Sequence, residues 1–174
     1  MYRGRYCLHF SCSFTSNVLI FMKPKKSFTI EYRNLAECLA TKCGISEAFS
    51  SVYQPNMIPP EFVEFNALWD TGAMRSVIST EVVKILGLLP VGQAKVYHTN
   101  GVSVVKTYLI DILLPNAIEF STVLVTEGIL GDTDVLVGMD IISRGDFAVT
   151  GSNGKTKFSF QVPSTHDIDF SECN

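Results

Sequence analysis

The sequence predicts an all-β protein with a single domain, and three observations support this prediction. The chain has 174 residues, of which 47% are hydrophobic, and this length suits one well-buried domain better than two. Only 18% of the residues are charged, while valine, isoleucine and phenylalanine, which favour strands, are frequent. Short apolar or alternating segments recur along the chain and are separated by turn residues such as Asn100-Gly101.

The charge and the cysteines restrict the partners and the compartment. A formal net charge of −3 gives no indication of a nucleic-acid partner, and no apolar run approaches the ~18–20 residues of a membrane span. The number of cysteines is odd, and their spacings match no usual zinc pattern; they are Cys7, Cys12, Cys38, Cys43 and Cys173. We therefore expect free thiols in a reducing, cytoplasmic compartment, with no metal and no other cofactor.

Residues 1–27 differ from the rest of the chain, since they carry five basic residues and no acidic one. The apolar run at 17–22 is short, polar residues precede it, and no small-x-small cleavage site follows, so a signal peptide is disfavoured. We predict a basic leader that is disordered, or a start assigned too early, with Met22 as the alternative start. The domain is predicted to span residues 28–165, and a polar C-terminal tail to span residues 166–174.

The first half of the domain contains one ambiguous segment. Residues 28–32 alternate like a strand. Residues 35–48 fit either a helix, because Leu35, Cys38 and Leu39 have helical spacing, or a long strand. Residues 50–60, with three prolines, are predicted to form a loop, and residues 61–69 lead into the next strand.

The second half is predicted to be mainly strands, with one short helix at residues 80–87. Thr80 is the expected N-cap of that helix, Gly87 is its stop, and its apolar positions are expected to pack against the domain. The predicted strands cover residues 77–79, 93–99, 102–114, 118–126, 135–137, 147–150 and 156–162. The strands at 93–99 and 102–114 form a hairpin around Asn100-Gly101, residues 127–133 form a loop, and a helical turn follows at 141–143.

The candidate site begins where the apolar run Ala67-Leu68-Trp69 reaches Asp70. A carboxylate at the end of a buried strand is unfavourable unless it is hydrogen-bonded. Gly72 allows the close approach of a backbone N–H, Thr71 supplies a hydroxyl, and Ala73 leaves room for a ligand. The same residues also suit an ordinary turn at the end of a strand.

A second segment favours the functional interpretation. Residues 135–137 form an apolar run that is followed by Gly138 and, after Met139, by Asp140. With this order of an apolar-Asp-Thr-Gly-Ala loop, a hairpin and a later apolar-apolar-Gly strand, the chain resembles the retropepsin-like aspartic proteases. The sequence at 64–66 and at 145–150 is similar to the bacterial branch of that group, and the resemblance covers roughly residues 28–170.

The resemblance implies a closed acid-protease barrel that acts as a homodimer on a peptide or protein substrate. It also favours the strand over the helix at residues 35–48. Because the chain contains one Asp-Thr-Gly sequence, each of two chains would contribute one Asp70 to a shared site. The implied catalytic residues are Asp70, Thr71 and Gly72, and the implied substrate-binding residues are Ala73, Thr99, Asn100 and Gly101.

The sequence departs from that family at two positions. The residue after Asp-Thr-Gly-Ala is commonly an acid there, the residue after the later glycine is commonly an arginine, and the two form an ion pair. Here these positions hold Met74 and Met139, so both charges are absent together and neither is left unpaired. The departure therefore concerns the bracing of the dimer and leaves the catalytic motif intact.

Two other functions remain open from the sequence. The same barrel could be a catalytically weak dimerisation or protein-interaction module, or it could bind a small ligand, with Asp70 as a buried hydrogen-bonding group. Facing Asp70 carboxylates would favour the enzyme, whereas an apolar cavity inside one chain would favour the small-ligand protein. Ser79 and Cys43 have no base close in sequence, and the three histidines lie in unrelated contexts, so a triad or a metal site is disfavoured.

Overall fold

The computed structural model describes residues 25–50, 52, 54, 56–98 and 101–171. The ten strands are β1 (Lys26–Glu31), β2 (Leu39–Glu47), β3 (Val63–Trp69), β4 (Val77–Ser79), β5 (Gly92–His98), β6 (Gly101–Leu114), β7 (Ile118–Gly128), β8 (Val135–Val137), β9 (Asp146–Thr150) and β10 (Lys157–Val162). The two α-helices are α1 (Thr80–Leu86) and α2 (Met139–Ile142). Nearly all of the predicted leader, together with Thr99 and Asn100, lies outside the described residues.

Six strands form a closed barrel, which confirms the predicted fold class. They are hydrogen-bonded in the order β2-β3-β8-β4-β7-β6, and a further pairing of β2 with β6 closes the ring. Inward side chains such as Ile45, Ile110 and Val125 are fully buried. The interior is thus packed with side chains, while β5 extends the sheet outside the ring as the partner of β6.

A three-stranded sheet, in the order β1-β10-β9, packs against this barrel through aromatic side chains. Trp69 is central to that contact, with its ring centroid 5.0 Å from the ring of Phe158 and 5.0 Å from that of Phe160. The indole N–H of Trp69 donates to the hydroxyl of Thr41 at 3.0 Å, so this buried polar group is satisfied. The last residue of β3 is therefore held firmly on the inner side, and Asp70 follows it directly.

The ambiguous segment at 35–48 contains a strand, and the helical alternative is wrong. β2 pairs in antiparallel register with β3 from Leu39 opposite Trp69 to Ile45 opposite Val63, and its end also pairs with β6. Two neighbouring strands satisfy its backbone groups, and such long-range pairing outweighs a short helical pattern of apolar residues.

The predicted short helix is present as α1, but its cap is one residue earlier than predicted. The hydroxyl of Ser79, not that of Thr80, accepts the N–H of Val82 at 3.3 Å. Gly87 ends the helix with φ of 63°, a conformation that suits glycine. Val82 is buried, and Val83 and Leu86 pack against the core, as expected of a helix that covers the barrel.

Other boundaries shift by a few residues. β7 continues to Gly128 because its end pairs in parallel with β4, so the loop predicted from residue 127 begins later. The predicted helical turn at 141–143 is α2, which begins at Met139. In the part of the chain that the structure describes, neither helix has the length and apolar character needed to cross a membrane.

Candidate active site

The Asp70 loop, residues 70–76, connects β3 to β4, and β8 lies between those two strands. β8 runs parallel to β3 and antiparallel to β4. The N–H of Asp70 donates to the carbonyl of Val137 at 3.0 Å, and the N–H of Met139 donates to the carbonyl of Ala73 at 2.8 Å. One end of the motif is thus bonded to the last residue of β8 and the other to the first residue of α2, although both follow in the chain more than sixty residues later.

Asp70 is oriented by its own loop. The N–H of Gly72 donates to the Oδ1 atom of Asp70 at 2.8 Å, and a backbone N–H donor to a carboxylate is a strong, charge-assisted hydrogen bond. Asp70 and Ala73 are half-buried, whereas Thr71 and Gly72 are exposed. The four predicted residues of the motif therefore form one hydrogen-bonded loop that carries a carboxylate and a hydroxyl at the surface of a single chain.

Gly138 lies against the backbone of the Asp70 loop, and this close approach is possible because glycine has no side chain. A Cβ atom on this residue would lie 2.6 Å from the carbonyl carbon of Arg75 and 2.9 Å from the carbonyl oxygen of Ala73. Its φ of −96° is accessible to any residue. The glycine is required because two backbone segments approach closely at this point, which explains the apolar-apolar-Gly pattern of β8.

Ser76 and Asp140 form a link that the sequence did not reveal. The N–H and the hydroxyl of Ser76 both donate to the Oδ1 atom of Asp140, at 2.9 and 2.8 Å, and the hydroxyl accepts the N–H of Gly138 at 3.1 Å. Ser76 is fully buried, so this arrangement is shielded from competing water. The Ser76–Asp140 link thus holds the end of the loop against the start of α2.

The positions of the absent ion pair are both exposed. The side chain of Met74 is 84% exposed, and Met139 is also exposed. Arg144 takes a different place, since its Nε atom donates to the carbonyl of Asp140 at 2.9 Å and its guanidinium lies over the ring of Phe120. At these two positions a single chain therefore presents exposed apolar side chains in place of charged ones.

The predicted hairpin is present, with Gly101 at the start of β6. Its arms pair in register from His98 opposite Gly101 to Gly92 opposite Thr107. Gly101 has φ of 124°, a conformation that L-residues with a side chain rarely adopt. Of the three predicted substrate-binding residues in the hairpin, Thr99 and Asn100 lie outside the described residues, and Gly101 lies on a different element from the Asp70 loop.

A groove of about 730 Å³ lies between this hairpin and the end of β7. It is lined by Val77, Thr80, Val96, Ser103, Val104, Val105, Lys106, Thr126, Glu127, Gly128, Ile129 and Leu130. Val77 and Thr80 follow the Asp70 loop in the chain, so the loop's own strand and the hairpin border the same space. The side chain of Ile129 is 99% exposed, so this apolar groove is open to solvent.

The other candidate nucleophiles are engaged or inert. Cys43 is buried, and burial raises the pKa of its thiol to about 12, so it is not a thiolate at neutral pH. The hydroxyl of Ser79 caps α1. Within the described ranges, no group of three histidine, cysteine, aspartate or glutamate side chains has the arrangement of a metal site.

Comparison with known proteins gives matches among solved structures alone. No protein-family model and no curated protein matches the sequence. A retropepsin-like aspartic protease from Rickettsia conorii shares 16% identity with a TM-score of 0.49, over 82% of this chain and 98% of that chain. The retroviral protease-like domain of Ddi1 from Leishmania major shares 17% identity with a TM-score of 0.40, over 71% of this chain and 95% of that chain.

A third similar structure is a foamy viral protease–reverse transcriptase in complex with an RNA/DNA hybrid. It shares 18% identity with a TM-score of 0.39, over 59% of this chain and 11% of that chain.

Proposed function

We propose that the chain is an aspartic endopeptidase, in which two Asp70 carboxylates, one from each chain of a homodimer, activate the water that hydrolyses a peptide bond. The observation that carries this proposal is the state of Asp70. Its carboxylate is fixed by the Gly72 N–H on a loop that β8 and the Ser76–Asp140 link hold rigid, yet it remains at the surface. A carboxylate that is held in one orientation and still reaches solvent is suited to act on a water molecule and a substrate.

The chemistry requires two carboxylates that share one proton. The ionised carboxylate takes a proton from water as the water oxygen attacks the carbonyl carbon, and the protonated carboxyl donates to the carbonyl oxygen. Like charges so close together cannot both ionise, which separates their titration, as in the established aspartic-protease pair. The carboxyl that took the proton from water then gives it to the leaving amine as the C–N bond breaks. The other carboxylate recovers its proton from a hydroxyl of the tetrahedral intermediate as the C=O bond re-forms, so the pair returns to its starting state.

The remaining motif residues take supporting roles in this proposal. The exposed hydroxyl of Thr71 would hold the two loops together across the two-fold axis, and Ala73 would leave room for the substrate. Thr99, Asn100 and Gly101 at the end of the hairpin would cover the bound peptide through backbone groups. The apolar lining of the groove beside the hairpin favours a substrate with apolar side chains near the cleaved bond.

The interface is expected to lie at the Asp70 loop. Met74 is 84% exposed in the single chain, and contact with a second copy would bury such an apolar side chain next to the motif. The barrel interior is filled by side chains, so the structure does not favour the alternative of a small-ligand-binding barrel.

The test compares the wild-type chain with Asp70→Asn on a peptide library over a range of pH. The activity of the wild-type chain should be bell-shaped in pH, because one carboxylate must be ionised and the other protonated. Asp70→Asn should lower the activity by at least about 100-fold with the fold retained, as judged by the fluorescence of the single tryptophan, Trp69.

Glu37→Gln is the matched control, since it makes the same acid-to-amide change at an exposed position and should leave the activity unchanged. Equal cleavage by Asp70→Asn would show that the mechanism is not that of an aspartic protease. A wild-type chain that dimerises but cleaves no peptide at any pH would favour the interaction module.

A further inference from the structure

A second groove, which none of the residues of the Asp70 loop lines, lies between the three-stranded sheet and the barrel. Its volume is about 720 Å³, and sites for small molecules have volumes of roughly 300–1,000 Å³. Lys26 of β1 and Arg144, which follows α2, border the groove together with Val162 and Pro163 at the end of β10. We call it the basic groove, because its two cations outnumber its one acid, Glu119.

Arg144 is held in one orientation but keeps hydrogen-bond donors free. Its Nε atom donates to the carbonyl of Asp140 at 2.9 Å, and its guanidinium carbon lies 5.5 Å from the centroid of the Phe120 ring. Among the described residues, none accepts a hydrogen bond from its two Nη atoms and none forms an ion pair with it. A fixed guanidinium with a free edge is suited to bind a carboxylate or phosphate group through two parallel hydrogen bonds.

Lys26 supplies the second cation of the basic groove. This residue is half-buried, and its Nζ atom donates to the carbonyl of Ala117. It has no carboxylate partner in the part of the chain that the structure describes. Because an ammonium group has three N–H donors, an anion in the groove would gain an ion pair with Lys26 without breaking an existing one.

Glu119 does not neutralise the basic groove. Its carboxylate accepts a hydrogen bond from the hydroxyl of Ser121 at 3.3 Å and forms no ion pair with Lys26 or Arg144. The groove therefore keeps an excess of positive charge, although the whole chain carries a formal net charge of −3. This local excess favours an anionic occupant.

The apolar side chains of the basic groove indicate what else the occupant contains. Ile118 and Phe120 line the groove as buried residues, whereas Val162 is half-buried and Pro163 is exposed. A bare inorganic ion would leave this apolar surface in water. A compact apolar group attached to the anion would cover it, which adds to the binding free energy.

We propose that the basic groove is a binding site for a small organic anion, in which a carboxylate or phosphate group is attached to a compact apolar body. The anionic group would bind the free edge of Arg144 and the ammonium group of Lys26, and the apolar body would pack on Val162 and Pro163. The inference does not depend on the proposed function, because the groove and the Asp70 loop have no residue in common.

The experiment measures binding to the full chain by isothermal titration calorimetry with three compounds that share a phenyl ring. Benzoate and phenyl phosphate carry the two kinds of anionic group, and benzamide is the neutral counterpart of benzoate. At least one of the two anions should bind with saturation, and the tighter of them identifies the class of anion. Benzamide should bind at least about tenfold more weakly than that anion, and the anion should also raise the midpoint of thermal unfolding.

Two variants test the two cations separately. Lys26→Met removes the charge and keeps the length of the side chain, whereas Arg144→Lys keeps the charge and removes the planar fork. Each should weaken the binding of the tighter anion at least about fivefold. Lys155→Met and Arg33→Lys make the same changes at exposed positions outside the groove and should leave its affinity unchanged.

Trp69 fluorescence reports whether each variant is folded. Because Arg144 also contacts Asp140, its replacement can disturb the structure. Lys26→Met leaves that contact intact, so its affinity decides the test if Arg144→Lys does not fold.

Three results would overturn the inference: no saturable binding of either anion, equal affinity for benzoate and benzamide where benzoate is the tighter anion, or unchanged affinity in folded Lys26→Met. A tetraglutamate peptide is the fourth ligand. If it binds at least about tenfold more tightly than both small anions, the groove belongs to an acidic protein segment instead. Asp167→Asn tests the chain's own C-terminal segment, since anions that bind to this variant and not to the wild-type chain would show that the segment already fills the groove.

Discussion

At the scale of the residue, Gly138 is the position where the smallest change should have a large effect on the site. The Cβ atom of Gly138→Ala would lie 2.6 Å from backbone atoms of Arg75, so the Asp70 loop would have to move. We expect a loss of about 1–3 kcal/mol in the free energy of unfolding. We also expect kcat/KM to fall at least about tenfold, because a small displacement of a reacting group lowers the rate strongly.

The measurement for Gly138→Ala is urea unfolding together with turnover per folded chain. Gly151→Ala is the matched control, because its new methyl group would lie 3.4 Å from a Leu35 methyl and its φ of −115° is ordinary. Normal turnover by folded Gly138→Ala would show that β8 does not position Asp70.

Asp146 provides a prediction about pH. Hydrogen bonds, first of all that from Ser164 and also those from the backbone N–H groups of Thr165 and His166, lower the pKa of its carboxyl well below the ordinary value of 3.8. A carboxyl whose pKa is lower in the folded state stabilises that state above its unfolded pKa, and the contribution is lost as the pH falls through the lowered value.

The difference in unfolding free energy between the wild-type chain and Asp146→Asn should therefore be constant above about pH 5 and should shrink steadily below the unfolded pKa. Urea unfolding at a series of pH values down to about pH 2 measures it. A difference that stays the same over the whole range would mean that ionised Asp146 does not anchor residues 164–166.

The residues of the site differ in how far the sequence could predict them. Asp70, Thr71 and Gly72 stand together in the chain, and the hydrogen bond from Gly72 to Asp70 spans two residues, so local chemistry predicts it. Ser76 and Asp140 are 64 residues apart, and their contact exists because β8 enters between β3 and β4. The one signal in the sequence was Asp140, two residues after Gly138. The sequence excludes it as a second catalytic motif but does not show that it contacts Ser76.

At the scale of the element, the β5–β6 hairpin is the proposed cover of the substrate. A variant of this hairpin can therefore show whether its effect on turnover exceeds its effect on stability. Gly101 has φ of 124°, and among the described residues that are not its chain neighbours none has an atom within 4 Å of the position of a Cβ atom. Gly101→Val should therefore strain the backbone without a clash. If the hairpin covers the substrate, turnover should fall more than stability.

Gly154→Val is the matched control for Gly101→Val. Gly154, between β9 and β10, has φ of 69° and the same open surroundings, so its variant should be destabilised to a similar degree with normal turnover. Peptide turnover per folded chain and urea unfolding are measured for both variants. If Gly101→Val loses stability but keeps full turnover, the hairpin is a structural element and not a cover.

The elements also show what local pattern can predict. The hairpin, β8 and α1 follow from turn residues, apolar runs and a glycine stop, which act over a few residues. The local pattern did not predict β2, because it fits both a helix and a strand. The strand forms because the distant strands β3 and β6 pair with its backbone groups. The extension of β7 to Gly128 likewise depends on parallel pairing with β4, which a window of sequence does not contain.

At the scale of the whole molecule, each chain has one closed barrel and one Asp70 loop. The proposed catalysis therefore requires the association of two chains. A site with two carboxylates and one Asp70 per chain exists in the dimer alone. Specific activity should therefore fall when the chain is diluted below the dissociation constant of the dimer. Folded monomers should persist on dilution, because the barrel is closed by contacts within one chain.

Mixed dimers give the sharpest test of a shared site. Asp70→Asn leaves the apolar surface around Met74 intact, so this variant should exchange with wild-type chains and form dimers with one carboxylate. With random pairing, activity should fall as the square of the wild-type fraction as variant chain is added at a fixed concentration of wild-type plus variant. Tagged chains and sedimentation confirm the exchange, and Glu37→Gln, as the added chain, should leave the activity constant. A linear decrease with the wild-type fraction, while mixed dimers demonstrably form, would mean that one Asp70 is sufficient and that the two chains do not share a site.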